Sequence, residues 1–158
     1  LNDEMDDFSA KPGVANAFGV VGSDANAIEP GKRMLSSMSP SIVTRDGKVS
    51  LVLGTPGGSR IFTSIFQVLN NVYDFGLPLE KAVAAQRVHH QLLPKDTIYY
   101  DAHAPLTGEV AQALEAMGYT LEDQGWLMGD IQAIRVVGRR LQTGSDPRGR
   151  GVGLIVEP

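Results

Sequence analysis

Across residues 1–40, apolar and polar positions follow neither a two-residue nor a 3.6-residue period, and Gly, Pro, Ser, Asn and Asp dominate. The stretch reads as loop. A structureless run of this length is uncommon in a compact domain, so it is expected to bind something or to be held by other chain. Order begins at Ser41. The β-prone runs 41–45 and 48–53 flank Asp46-Gly47, a hairpin signal because both central residues of a type I′ turn need positive φ. Leu51-Val52-Leu53 is continuously apolar and is expected to be a strand buried on both faces. Ile61, Ile65, Val68, Leu69 and Val72 share one helical face, which predicts a helix over 61–75 with Ser59 as N-cap and Gly76 as C-cap. A shorter helix is expected over 79–86. A third is expected over 106–117, with Thr107 near its start and Gly118 closing it. Segments 119–121, 131–137 and 139–143 read as strands. A loop, a hairpin, helices and then more strands predict an α+β fold, with no internal repeat and one domain over 1–158.

Composition narrows the function classes. Hydrophobic residues make up 42% of the 158 and charged residues 20%, which fits a globular domain with a sizeable core. The net charge is -4, and no basic stripe is available to meet phosphates, which argues against a nucleic-acid partner. The one basic concentration, Arg135, Arg139, Arg140, Arg148 and Arg150, reads as a solvated surface with one or two ion pairs. With no cysteine, a disulfide framework, a thiolate nucleophile and a cysteine-ligated metal are excluded. No apolar run approaches the ~20 residues of a membrane span. Leu1 is not an initiator methionine, so the chain is expected to be a processed or excised piece.

Five short segments carry candidate chemistry. Gly54-Thr55-Pro56-Gly57-Gly58-Ser59-Arg60 runs from a strand through paired glycines into a helix start. Such a turn either simply connects the two elements or presents backbone N–H groups to an anion. It lacks the Gly-Lys-Ser/Thr ending of a phosphate-binding P-loop. Ser36 and Ser37, within Leu35–Pro40, read alone as local capping residues, although paired hydroxyls can also face a carboxylate. Asp3, Glu4, Asp6 and Asp7 form an acidic run that reads as a charged terminal loop or as a cation or ammonium site. The calcium-loop spacing is absent. His89 and His90 are adjacent, point in different directions and make a poor chelating pair, so a structural role is expected. Ser145-Asp146-Pro147-Arg148 offers an Asp–Arg ion pair, read as structural.

Taken together and in order, Met5–Gly13, Leu35–Pro40, Gly54–Arg60, His89-His90-Gln91 and Ser145–Arg148 resemble the C-terminal portion of the small subunit of a gamma-glutamyltransferase, or glutathione hydrolase. The likeness spans nearly the whole chain and weakens after Ala104 and beyond Arg148. It implies an N-terminal-nucleophile-hydrolase-like αββα sandwich, incomplete without upstream strands and a large subunit from the same precursor. It also implies cleavage of gamma-glutamyl amides such as glutathione through an acyl-threonine intermediate. By the same resemblance, Gly57 and Gly58 match an oxyanion hole. Ser36 and Ser37 match hydroxyls for the substrate α-carboxylate, and Asp7 and Glu4 match acids for its α-ammonium. Phe18 falls in a lid loop over 12–22. The family's nucleophilic threonine would lie upstream of Leu1. Thr44, Thr55 and Thr63 match no such motif, so the chain alone is expected to be inactive. Residues 1–40 would then supply substrate-binding and lid loops and 41–158 the strands and helices.

The resemblance implies no cofactor and no metal. It places the protein in the periplasm or outside the cell, and it leaves self-association of the fragment as an expectation. Within the enzyme class, a cephalosporin acylase or a poly-gamma-glutamate processing enzyme is the near alternative. Outside it stand a non-catalytic amino-acid-binding or protein-interaction domain and, third, a metal-binding protein using Asp3–Asp7 and the histidines.

Overall fold

A computed structural model describes residues 4–156. The chain opens as expected with loop, interrupted by 3-10 turns at Met5–Asp7 and Asp24–Asn26. The loop is pinned by its own polar groups. The Ser9 amide donates to the Asn26 carbonyl at 2.9 Å, and Lys32 Nζ donates to the carbonyls of Ala25 and Ala27 at 2.8 and 3.0 Å.

The first sheet begins with the hairpin β1 (Ser41–Arg45) and β2 (Lys48–Gly54), joined by Asp46 and Gly47 at φ 51° and 73°. Strands β6 (Gln132–Val137) and β7 (Arg140–Ser145) complete it in the order β1-β2-β6-β7, antiparallel throughout. Helices α1 (Ile61–Tyr73) and α2 (Leu79–Ala84) cover one face. The apolar stripe of α1, Ile61, Ile65, Val68 and Val72, meets Leu51, Leu53, Ile131 and Ala133 in the core. Burying a side chain of this size is worth about 1.5–3 kcal/mol. Strand β7 carries Gly144 where α2 crosses it; a Cβ there would lie 2.9 Å from Leu79 Cγ.

A second sheet holds β3 (Val88–His90), β4 (Thr97–Tyr100) and β5 (Thr120–Asp123), with β4 and β5 parallel. Helix α3 (Gly108–Ala116) precedes β5 and closes at Gly118.

Three expectations need correction. Leu51–Leu53 is not buried on both faces: Val52 keeps 40% of its surface exposed. Among the described residues the helices pack on one face only, and Val52 belongs to an outward cross-strand row with Ile42 and Ile134. Ser59 does not cap α1, because a 3-10 turn over Gly58–Arg60 feeds directly into the helix and Ser59 Oγ donates instead to Gln91 Oε1 at 2.9 Å. Arg148 does not belong to a solvated basic surface; it is buried among carboxylates.

Candidate functional site

Strand β2 delivers the chain to Thr55 and Pro56, and the backbone then turns through Gly57 at φ 143° and Gly58 at φ 56°. Both values lie where a Cβ is strained, so the turn requires glycine. Among the described residues neither of these amides donates a hydrogen bond, and both sit at the head of the 3-10 turn that enters α1. Two adjacent free donors at a helix entrance can receive a negatively charged oxygen.

The Phe18 ring lies directly on Gly58, so that any Cβ on that glycine would collide with it. Phe18 also stacks on Trp126, with ring centroids 6.5 Å apart and planes 9° from parallel. The Arg60 guanidinium lies over the Trp126 ring, 4.9 Å from its centroid. The Phe18 loop is shaped by Asn16, whose Oδ1 accepts the amides of Phe18 and Val20 at 3.0 and 2.9 Å. It is tied to the acidic turn by Asp6, whose carboxylate accepts the Ala17 amide at 3.1 Å. Asp6 belongs to the acidic run noted in the sequence, where its bond to the Phe18 loop has no local signal; Asn16 was not singled out, although an asparagine side chain bonding the backbone two residues on is a common local turn signal.

Asp7, Phe18, Ser36, Ser37 and Ser59 line one cavity of about 730 Å³. Glu4 joins them through Ser36, whose hydroxyl donates to Glu4 Oε1 at 2.6 Å. Burial raises the Asp7 carboxyl above the ordinary aspartate value; the Ser37 amide opposes this, and the charges of Glu4 and Asp6 add to it. The cavity therefore juxtaposes hydroxyl and amide donors with carboxylates, a set suited to a ligand carrying both charges. Gly57 faces a separate, smaller cavity of about 270 Å³ with Arg60, Trp126 and Asp130.

The histidines separate as strand alternation requires. His89 Nδ1 is 2.9 Å from Thr63 Oγ1, while His90 packs edge-on against Tyr119. Burial holds the His89 ring below its usual value, with the Gln91 hydrogen bond opposing. Among the described residues no group of three His, Asp or Glu side chains could hold a metal ion. Asp3, part of the acidic run, lies outside the described residues.

The Asp146–Arg148 pair forms, at 3.3 Å between Oδ1 and Nη1, and extends into a four-charge network that was not read from sequence. Arg87 Nη2 bonds Asp146 Oδ2, and Arg148 Nε bonds Asp101 Oδ2 at 2.7 Å. Burial alone would raise the Asp101 carboxyl, but hydrogen bonds from Arg148 and the Met128 amide, with the Arg148 charge, hold it below the ordinary range. Arg87 offers no local signal, because its carboxylate partner lies 59 residues away.

The family model for gamma-glutamyltranspeptidase matches residues 1–156. A glutathione hydrolase proenzyme of Pseudomonas aeruginosa is 89% identical over 158 residues, which is all of this chain and 28% of that protein. One from Escherichia coli is 48% identical over 149 residues, or 94% of this chain and 25% of that protein. The chain thus spans roughly a quarter of these relatives' length. A solved gamma-glutamyltranspeptidase from Pseudomonas nitroreducens, complexed with L-DON, superposes with a TM-score of 0.93 at 89% identity. The match covers 99% of this chain and 81% of that one.

Proposed function

This chain belongs to the gamma-glutamyltranspeptidase family, and from that premise we propose that it forms part of an enzyme that cleaves gamma-glutamyl amides such as glutathione. The observation that carries the reading is the single cavity in which Asp7, Ser36 and Ser37 meet, with Phe18 standing between them and the Gly57-Gly58 turn.

In this reading the substrate α-carboxylate takes the hydroxyls of Ser36 and Ser37, and Ser36 gives up its bond to Glu4. The α-ammonium settles between Asp7 and Glu4, and its charge favours the ionised Asp7 carboxyl that burial disfavours. A threonine hydroxyl from outside these 158 residues attacks the gamma-carbonyl carbon. The carbonyl oxygen becomes an oxyanion held by the Gly57 and Gly58 amides. The C–N bond then breaks, the amine leaves with a proton, and a glutamyl ester remains. Water or an amino-acid or peptide amine attacks that ester and restores the hydroxyl. Phe18 acts as a lid whose movement admits substrate.

Among the chain's own threonines, Thr63 is engaged with the Arg60 carbonyl and His89, and Thr55 with Pro56 and Asp130. Neither hydroxyl is free to act as a nucleophile, and catalysis requires the rest of the protein. The outward row of Ile42, Val52 and Ile134 is the surface on which a large subunit from the same precursor would sit, and the isolated chain would self-associate through it. A periplasmic or extracellular location rests on the family resemblance, and the absence of cysteine is compatible with it. Among the described residues no helix is long and apolar enough to cross a membrane.

Turnover of a gamma-glutamyl chromogenic amide by this chain and by the full-length protein tests the reading. Activity in the full-length protein alone is expected. Activity in the isolated chain would overturn the placement of the nucleophile, and an inactive full-length protein would overturn the function.

A further inference from the structure

We propose that Thr55 is a positioning residue whose hydroxyl sets the direction of the Gly57 and Gly58 amides by clasping their turn to the loop before β6. The inference rests on the reading of those amides as an oxyanion hole.

Thr55 Oγ1 is used twice. It donates to the Pro56 carbonyl at 2.8 Å and accepts the Asp130 amide at 2.7 Å. The first bond fixes the peptide plane that precedes Gly57, and the second ties that plane to residue 130. The residues between are fitted to the same clasp. Gly129 stands at φ 79°, and a Cβ there would lie 2.5 Å from Thr55 Oγ1 and 3.3 Å from the Pro56 carbonyl oxygen. A Cβ on Gly57 would in turn lie 3.9 Å from the Gly129 Cα. The two backbones therefore pack glycine against glycine, with the threonine hydroxyl as the polar link.

The loop that receives the clasp is rooted in the buried charges. The Met128 amide donates to Asp101 Oδ2 at 2.9 Å, and Arg87 Nη1 donates to the Met128 carbonyl at 2.6 Å. The Ile131 amide donates to Asp146 Oδ2 at 3.0 Å, and the Asp146 amide returns a bond to the Ile131 carbonyl at 2.9 Å. Residues 128 and 131 are thus held on both sides, and Asp130 presents its N–H to Thr55 from a fixed base. Without the clasp, the two glycines are the most freely rotating residues in the turn. An oxyanion hole tolerates only about 0.5 Å of misplacement, and losing one donor outright lowers kcat about 100- to 1,000-fold.

The test uses the full-length protein carrying Thr55→Val, which keeps shape and removes the hydroxyl, and Thr55→Ser, which restores it. With a gamma-glutamyl anilide, Thr55→Val is expected to lower kcat about 10- to 100-fold, the loss from a misaligned rather than absent donor. KM is expected to stay within about twofold, because the ground-state contacts of an oxyanion hole are weak. Thr55→Ser should recover most of kcat. A crystal structure of Thr55→Val should show the Gly57 and Gly58 nitrogens displaced by more than about 0.5 Å relative to β2. Should Thr55→Val fail to fold, Thr55→Ala carries the same measurements. Unchanged kcat, a rise in KM alone, or an undisplaced turn in an inactive variant each overturns the inference. A displaced turn in a protein whose wild type has no gamma-glutamyl turnover sinks the proposed function and leaves the clasp standing.

Discussion

Changing Asp146 to asparagine removes one negative charge from a site that holds two of each sign. The side chains of Arg87 and Arg148 are 1% and 0% exposed, and those of Asp101 and Asp146 are fully enclosed. In the wild type Asp146 accepts from both arginines and from the amides of Ile131 and Arg148. In the variant, two guanidinium groups share Asp101 alone, and an amide NH₂ faces one of them. Deleting one partner of a buried pair costs about 3–5 kcal/mol, because the remaining charge cannot reach water. Because this chain spans about 28% of its relative's length, the full-length protein, with an unfolding entropy of about 2.1 cal/mol/K per residue, is expected to lose about 3–4 °C in Tm. Calorimetry or circular dichroism on the full-length protein reads this directly. The double replacement Arg87→Met with Asp146→Leu removes both signs together and should recover much of the loss. A single variant melting within about 2 °C of wild type would refute the view that these charges are buried and interdependent. A double variant as unstable as the single one would assign the loss to the backbone anchoring at Ile131 rather than to charge.

Asp101 titrates below its unfolded value. Its contribution is therefore fully present above about pH 4 and is lost as pH falls through the lower folded value. Asp101→Asn should flatten the acid limb of a stability–pH curve, measured by urea melts between about pH 2 and 6. Gly58→Ala should abolish gamma-glutamyl turnover in the full-length protein, since its methyl meets the Phe18 ring and its φ is 56°. Adding Phe18→Ala should restore part of the melting temperature and little of the rate. Asp7→Asn should raise KM for gamma-glutamyl substrates about 10- to 100-fold, the scale of a charged hydrogen bond. It should leave a substrate analogue lacking the α-amine nearly unaffected, which parallel kinetics on the two compounds would show.

Features set by neighbours in sequence were legible in the chain, and features set by distant partners were not. The Asp46-Gly47 turn and the stripe of α1 follow from local conformational preference and period, and both form close to their expected bounds. Strands β3 and β4 are three and four residues long. Runs that short acquire strand character from their pairing, which no local pattern announces. Val52 misled because an apolar residue at the centre of an apolar triplet looks the same whether its outer face is covered or open. The polar site divides in the same way. Asp146 and Arg148 stand two residues apart and could be paired on sight. Arg87 and Asp101 could not, and neither could the contact between Phe18 and Gly58.

The same long separations constrain the order in which the molecule can become itself. On a ribosome, Arg87 emerges 59 residues ahead of Asp146, and Asp101 emerges 47 ahead of Arg148. Until the later pair arrives, Arg87 and Asp101 lack the side chains they hydrogen-bond in the folded protein, and charges enclosed without such bonds are costly. The segment that clasps the glycine turn is therefore anchored in part by a residue that follows β7 in the chain. The nascent chain stays open at its most polar point until Asp146 and Arg148 arrive to close it.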